Sequence, residues 1–295
     1  MVSWNGSGPF FTVQPGRSAV KRLRTWFSKS WAFIVVCWPI ADVTGCGWQA
    51  CRTPAGPGMP LSRWFRGGAP SPRDRLVKAL QQARHGDTDG AIETIAERFS
   101  DALKELRALP AQVDAGWLRL AAQLAYRAGG MPAAADFAQQ ALAQEEDAAT
   151  WNLLGRVRIW LKHPEAMTAF HRAAALRPDA YVVPHRVSRD RFARLAEAAL
   201  ASIPEAFQRQ LTNTMIVVDD LPDIDAVREG EDPDLLGLYE GATALEHGLP
   251  ERIVLYQRNH ENIVADDAEL AEQVRETMRH EVGHHFGMAE DELPY

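Results

Sequence analysis

"DDAELAEQVRETMRHEVGHHFGMAEDEL", Asp266 to Leu293, decides how the C-terminal third of the chain is read. Asp266 is followed three residues later by Glu269, a helix-start signature. Leu270, Val274 and Thr277 then fall on one stripe, so the spacing predicts an amphipathic helix that runs directly into His280. His280 and His284 are four residues apart, one turn along the same face, close enough to hold a single metal ion. Glu281 is swung about 100° round the helix axis, where it can face an activated water without being a ligand. Gly287, after Phe286, lets the backbone leave the helix through a left-handed turn and fold back.

Ten positions after His280 stands Glu290, with Asp291 and Glu292 beside it. A helical His pair, a glycine and a ligand at the tenth position is the layout of zincin variants completed after a Gly turn. Two histidines, a carboxylate and one open position make a catalytic zinc set, with Glu290 as third ligand and Asp291 as its rival. A bare His-Glu-x-x-His also arises by chance as a helix with two surface histidines; the Gly turn and the spaced carboxylate separate this stretch from that case. His285 points off the ligand face and reads as packing or as support for the ligands.

Upstream, Arg191 to Leu211 reads as two helical pieces divided at Pro204, which is well placed to open the second. "NTMIVVDDLP" (Asn213 to Pro222) turns to β-branched residues and reads as a strand. Two more short strands are expected in "LLGLYEG" (Leu235 to Gly241) and "ERIVLYQ" (Glu251 to Gln257).

In that order, "LLGLYEG", "PERIVLYQ" and "RHEVGHHFGMAEDEL" resemble the small zincin-like metallopeptidases of bacteria. Their domain ends in His-Glu-x-x-His-His-Phe-Gly followed by acidic residues. The resemblance covers roughly Arg191 to Leu293 and implies a minimal zincin fold, a few strands packed on helices. It also implies His280 and His284 as zinc ligands, Glu281 as base and an acidic third ligand. Glu290 stands where members often carry Asp.

In the expected reaction one Zn2+ per chain activates a water, Glu281 takes its proton, and Glu281 hands that proton to the leaving amine of a cleaved peptide. Tyr239, Arg252, Tyr256 and His260 are candidates to help stabilise the oxyanion, and the spacing selects none of them. Substrate subsites are expected from the preceding strands, with Arg252 to Tyr256 as an edge that pairs with an extended peptide.

From Ser71 to about Pro178 the chain is rich in Ala, Leu, Arg, Gln and Glu with apolar residues at three and four spacing, which predicts helices throughout. "WLRLAAQLAYRAGGMPAAADFAQQAL" (Trp117 to Leu142) aligns with "WNLLGRVRIWLKHPEAMTAFHRAAAL" (Trp151 to Leu176), the tryptophans 34 residues apart. Leu120 meets Leu154 and Ala121 meets Gly155 in this alignment. The period, the small residues and Pro178 after the second unit resemble the tetratricopeptide repeat. Leu76 to Phe99 has the same helix, Gly-turn, helix form. Such an array offers a surface for a peptide or protein partner, or serves as a packing scaffold for the next domain.

Residues 1–58 hold five of the nine tryptophans and no helical periodicity. "KRLRTWFSKS", "WAFIVVCWPIA" and "VTGC" in sequence resemble a bacterial lipoprotein signal with Cys46 as the lipidated residue. Asp42, Pro39 and the long leader speak against it, and the alternative is that translation starts at Met59. The expected location is the cytoplasm, or the membrane surface if Cys46 is lipidated.

The expected organisation is therefore an irregular or targeting segment (1–58), a mainly α, tetratricopeptide-like repeat domain (71–180) and a C-terminal α+β zincin-like domain with a small sheet (189–295). All three cysteines precede residue 52, so the body uses neither disulfides nor thiolate ligands. Residues 1–66 carry eight Lys and Arg against Asp42 alone, which leaves the body near −14 and makes nucleic acid an unfit partner. Two functions stand: a zinc metallopeptidase whose repeat binds substrate or a partner, and a repeat-based binding module whose zinc is structural or vestigial. A base at Glu281 favours the first, since a structural site has no use for one.

Overall fold

The computed structural model describes residues 70–95, 98–211, 214–241 and 251–288. The expectations for residues 1–58, Cys46, Met59, Glu290 and Asp291 lie outside these residues.

The first half is helical. Helix α1 (Pro72–Arg84) starts at a capping box: Ser71 Oγ accepts from Asp74 N and Asp74 Oδ2 accepts from Ser71 N, both at 3.2 Å, with Pro72 in the first turn. Then follow α2 (Thr88–Ile95), α3 (Phe99–Ala108), α4 (Ala115–Arg127), α5 (Met131–Gln144), α6 (Ala148–Trp160) and α7 (Ala166–Leu176). Helices α4 and α6 open the aligned hairpins, each on an aspartate cap: Asp114 takes Trp117 N at 2.9 Å, and Asp147 takes Thr150 N at 2.8 Å.

Helix α4 is buried nearly all round because it separates two cores. Trp117, Leu120 and Leu124 pack with Leu76 and Leu80 of α1, while Ala122, Ala125 and Tyr126 pack with Met131, Leu153 and Val157. Small residues set the helix spacing. A Cβ on Gly155 would stand 3.0 Å from the Phe170 ring, so α6 and α7 approach as closely as they do only because the side chain is missing. Trp117 is buried and meets the Phe137 ring edge-on at 5.9 Å, whereas Trp151 is only partly buried.

The second half contains α8 (Arg189–Ala201), α9 (Glu205–Gln208), β1 (Thr214–Asp219), α10 (Ile224–Arg228), β2 (Gly237–Glu240), β3 (Glu251–Tyr256), α11 (Gln257–Asn262) and α12 (Asp267–His285). Pro204 divides α8 from α9, as its ring requires. The sheet order is β1-β3-β2, with β1 parallel and β2 antiparallel to β3. The fold is thus mainly α, with a small mixed sheet in the C-terminal part, as the sequence predicts.

One expectation is corrected. Arg252 to Tyr256 is the central strand and not an edge, because both of its sides are already hydrogen-bonded, to β1 and to β2. Strand alternation splits the sheet's faces. Ile216, Val218, Ile253 and Leu255 face α8 and α12, meeting Phe192, Leu270, Val274 and Met278 in one core. Each such side chain, fully buried, contributes about 1.5–3 kcal/mol. Val217, Leu238, Val254 and Tyr256 form a smaller cluster on the opposite face.

The halves are in contact. Ile224 of α10 packs against the core of α4, α5 and α6. Arg186, between α7 and α8, lies over the Phe170 ring at 5.7 Å while bonding Glu261 at 2.9 Å and Asn262 at 2.7 Å. Glu261 is fully buried and also accepts from Arg258, Gln257 and the Val187 amide, so its charge is met on every side. Among the described residues, no helix is long and apolar enough to cross a membrane.

Candidate metal centre

Helix α12 begins at Asp266, whose carboxylate accepts from the amides of Ala268 and Glu269 at 2.8 and 2.9 Å. Glu269 reaches one residue further back than a standard capping box, to Ala265 N at 2.7 Å. Leu270, Val274 and Met278 are fully buried under the sheet, which fixes the rotation of the helix and with it the faces of its last turn.

That last turn brings His280 Nε2 and His284 Nε2 to 2.9 Å of each other, with the rings edge-on at 81°. Two imidazole nitrogens at this separation share either a proton or a cation. A tetrahedral zinc with bonds of about 2.0–2.1 Å needs its two nitrogens roughly 3.3 Å apart, a small ring rotation away. His280 and His284 therefore fit two of the four positions round such an ion.

Gly287 completes the arrangement at the backbone level. Its φ of +76° places it in the left-handed region, Gly287 N donates to His284 O at 2.9 Å, and Met288 N donates to Gly283 O at 3.1 Å. This Schellman turn points Met288 O back at His284 Nδ1, 3.2 Å away. A carbonyl only accepts, so Nδ1 carries the proton and Nε2 keeps its lone pair directed at His280.

Glu281 is buried, 2% exposed, and its neighbour across the site is strand β2. A Cβ on Gly237 would lie 2.6 Å from Thr277 Cγ2 and 3.0 Å from both Cγ and Oε1 of Glu281. The strand backbone thus rests on the helix at the level of the carboxylate, and any side chain at 237 would displace it. Sequence reasoning read "LLGLYEG" as a strand but missed this contact; the glycine inside the strand pattern was the available signal.

The remaining candidates separate by face. Tyr239, two residues along β2 from Gly237, stands on the α12 side with its hydroxyl 3.2 Å from His285 Nδ1. Burial, reinforced by Glu251, pushes its pKa up to about 12, so the phenol stays protonated and can donate. His285 Nδ1 also lies 3.3 Å from Glu251, and burial lowers its pKa. Arg252 is paired with Glu240, and Tyr256 belongs to the cluster on the far face of the sheet. His260 is fully buried, its Nδ1 at 2.9 Å from Tyr256 O and its Nε2 at 3.0 Å from Thr277 Oγ1. Of the four oxyanion candidates, Tyr239 and His260 both reach α12, Tyr239 at His285 in its last turn and His260 at Thr277 earlier in the helix, where both of its ring nitrogens are already engaged.

Residues 211–295 match the model of the zincin-like metallopeptidase family. The match spans the sheet, α12 and the acidic stretch after Gly287, and leaves the helical hairpins outside it. Zinc is the usual cofactor of such zincin-like proteins and peptide-bond hydrolysis their general reaction. No curated protein matches the chain. Among the described residues, no third His, Cys, Asp or Glu joins His280 and His284 in a ligand group.

Proposed function

We propose that the protein is a zinc-dependent peptidase in which His280, His284 and Glu290, with Asp291 as the alternative, hold one Zn2+ and Glu281 is the general base. The observation that carries this reading is the convergence of the two Nε2 atoms at 2.9 Å beside a buried carboxylate. Zinc bound there supplies Lewis acidity to a scissile carbonyl and to an attacking water. The chain's own residues do the rest. Glu281 takes the water's proton on its carboxylate and returns it to the leaving amine.

Met288 O keeps the His284 tautomer fixed, and β2 closes one side of Glu281 against bulk water. The Tyr239 hydroxyl, a protonated donor beside His285 near the same turn, is the group this reading assigns to help hold the developing oxyanion. The far edge of β2 pairs with no strand among the described residues, and it is the edge on which an extended peptide would be added. The helical hairpins would then bind substrate or a protein partner.

The test is metal content by mass spectrometry on the full chain and on two variants, with hydrolysis of a quenched fluorogenic peptide library alongside. The reading expects one zinc per chain in the parent and in Glu281→Gln, none in His284→Ala, and hydrolysis by the parent alone. A folded parent that takes up no zinc when it is supplied overturns it.

A further inference from the structure

The segment "EDPD" (Glu231 to Asp234), which leads into β2, is gripped by the helical hairpins. Tyr126 Oη donates to Asp234 Oδ1 at 2.6 Å, and Arg156 Nη1 donates to Asp234 Oδ2 at 2.7 Å. Arg127 is ion-paired with Asp232, and its other terminal nitrogen stands 3.8 Å from Asp234 Oδ2. The donors come from α4 and α6, the first helices of the two aligned hairpins, 108 and 78 residues from Asp234 in the chain. They also brace one another, since the Arg156 guanidinium lies over the Tyr126 ring at 5.7 Å. Burial would raise the Asp234 pKa, but Arg156, Arg127 and Tyr126 outweigh it and hold the carboxyl below the usual range.

From Asp234 the path to Glu281 is short and tied at each step. Asn259 Nδ2 donates to the carbonyls on either side, Pro233 O at 2.9 Å and Leu235 O at 2.8 Å. Tyr256 N donates to Leu236 O at 2.8 Å, and the next residue is Gly237, whose backbone rests on Thr277 and Glu281. An apolar contact would hold this segment but let it slide. Directional hydrogen bonds to both carboxylate oxygens fix its height and angle together.

We propose that Asp234 is a positioning residue for the peptidase centre: the helical hairpins hold it so that β2 is seated on Glu281. The proposal rests on the peptidase reading above. It makes the hairpins part of the frame of the active site and not only a surface for partners. The Asp234→Asn change is nearly isosteric, yet it replaces one of the two acceptor oxygens by a donor NH2, so Tyr126 and Arg156 can no longer each donate to an oxygen of their own.

The experiment is amide hydrogen exchange across the full chain, with zinc content and hydrolysis of a quenched fluorogenic peptide library measured on the same samples. The variants are Asp234→Asn, Arg156→Lys and Tyr126→Phe. In Asp234→Asn, exchange at Gly237 to Glu240 is expected to rise about tenfold while α8 and α12 keep their protection. Zinc stays at one per chain, and kcat falls about 10–100-fold with KM within about threefold, because a small misplacement at the reacting centre acts on the chemical step.

Arg156→Lys, which keeps the charge but not the paired geometry, shows only part of this loss. Tyr126→Phe, which removes one hydrogen bond and is the milder test should Asp234→Asn fail to fold, raises β2 exchange about threefold. Unchanged exchange at β2 in folded Asp234→Asn overturns the proposal, and so does a loosening spread evenly over α8, α12 and β1. A parent that hydrolyses peptides no faster than Asp234→Asn overturns the proposal and leaves the peptidase reading standing. A zinc-loaded parent that cleaves nothing, while β2 still responds to Asp234→Asn, overturns the peptidase reading and reduces Asp234 to a strand clamp.

Discussion

At Thr277 and at His280, three residues apart on α12, an imidazole meets the helix in two different ways. His260 comes from α11, is fully enclosed, and has one nitrogen on a backbone carbonyl and the other on the Thr277 hydroxyl. Tyr256 O can only accept, so Nδ1 of His260 donates and Nε2 receives the threonine proton. His284 also gives Nδ1 to a carbonyl, that of Met288, but turns Nε2 toward a second imidazole. The first arrangement satisfies a histidine inside a core; the second concentrates two nitrogen donors on one point. On the proposed reading, the same side chain is structural or metal-binding according to what its second nitrogen faces.

Substitutions at the two places should therefore part company. His284→Ala is expected to abolish zinc uptake and with it peptidase activity, yet to change the stability of the metal-free protein by only about 0.5 kcal/mol, since the residue is half-buried at a helix end. His260→Ala should do the reverse. It opens a cavity beside Phe192, removes the imidazole that bonds Tyr256 O and Thr277 Oγ1, and costs about 3 kcal/mol or more while zinc stays at one per chain. Chemical denaturation and metal analysis on both variants would break the comparison if the two effects moved together.

Next in size is Glu281→Gln, which keeps zinc and the fold and lowers kcat about 10²–10⁴-fold, read from hydrolysis progress curves. A retained rate would remove Glu281 from its role as base.

A pH experiment sharpens the core side of the comparison. Burial lowers the His260 pKa from 6.5 to about 4. The unfolded chain protonates this residue below about pH 6.5, while the folded chain resists until about pH 4. Its contribution is therefore fully present above pH 6.5 and is lost as the pH falls toward 4, on the order of 3 kcal/mol in all. The midpoint of urea unfolding between pH 7 and pH 4 should follow that curve, and His260→Leu should flatten it.

The smallest effect is expected at Gly287→Ala. There is space for the methyl group, but φ of +76° strains it by about 1 kcal/mol. Relaxation of the turn moves Met288 O off His284 Nδ1 and weakens zinc binding about tenfold, measurable by competition with a chelator.

How far the sequence could be read depended on the range of the interaction. Asp266, Leu270, Val274 and Gly287 announce α12 because caps, stripes and left-handed glycines are local, and Pro204 marks the α8 boundary for the same reason. Ile224–Arg228 and Gln257–Asn262 were not foreseen as helices, since five or six residues hold too little of the helical period to register.

Strand order was also out of reach. Val254 and Leu255 mark a strand, but only distant pairing with β1 and β2 makes it central. The grip of Tyr126 and Arg156 on Asp234 joins side chains 108 and 78 positions apart, and no local pattern reports it. In the candidate site, the His280 and His284 spacing was legible because one helical turn sets it, whereas the seat of β2 on Glu281 depends on the tertiary fold.

The most direct test is zinc-edge X-ray absorption on the zinc-loaded full chain. Two imidazole ligands at about 2.0 Å with oxygen filling the remaining positions, one imidazole being lost in His284→Ala, is the predicted result. A spectrum without histidine scattering, or one unchanged in His284→Ala, would contradict the account.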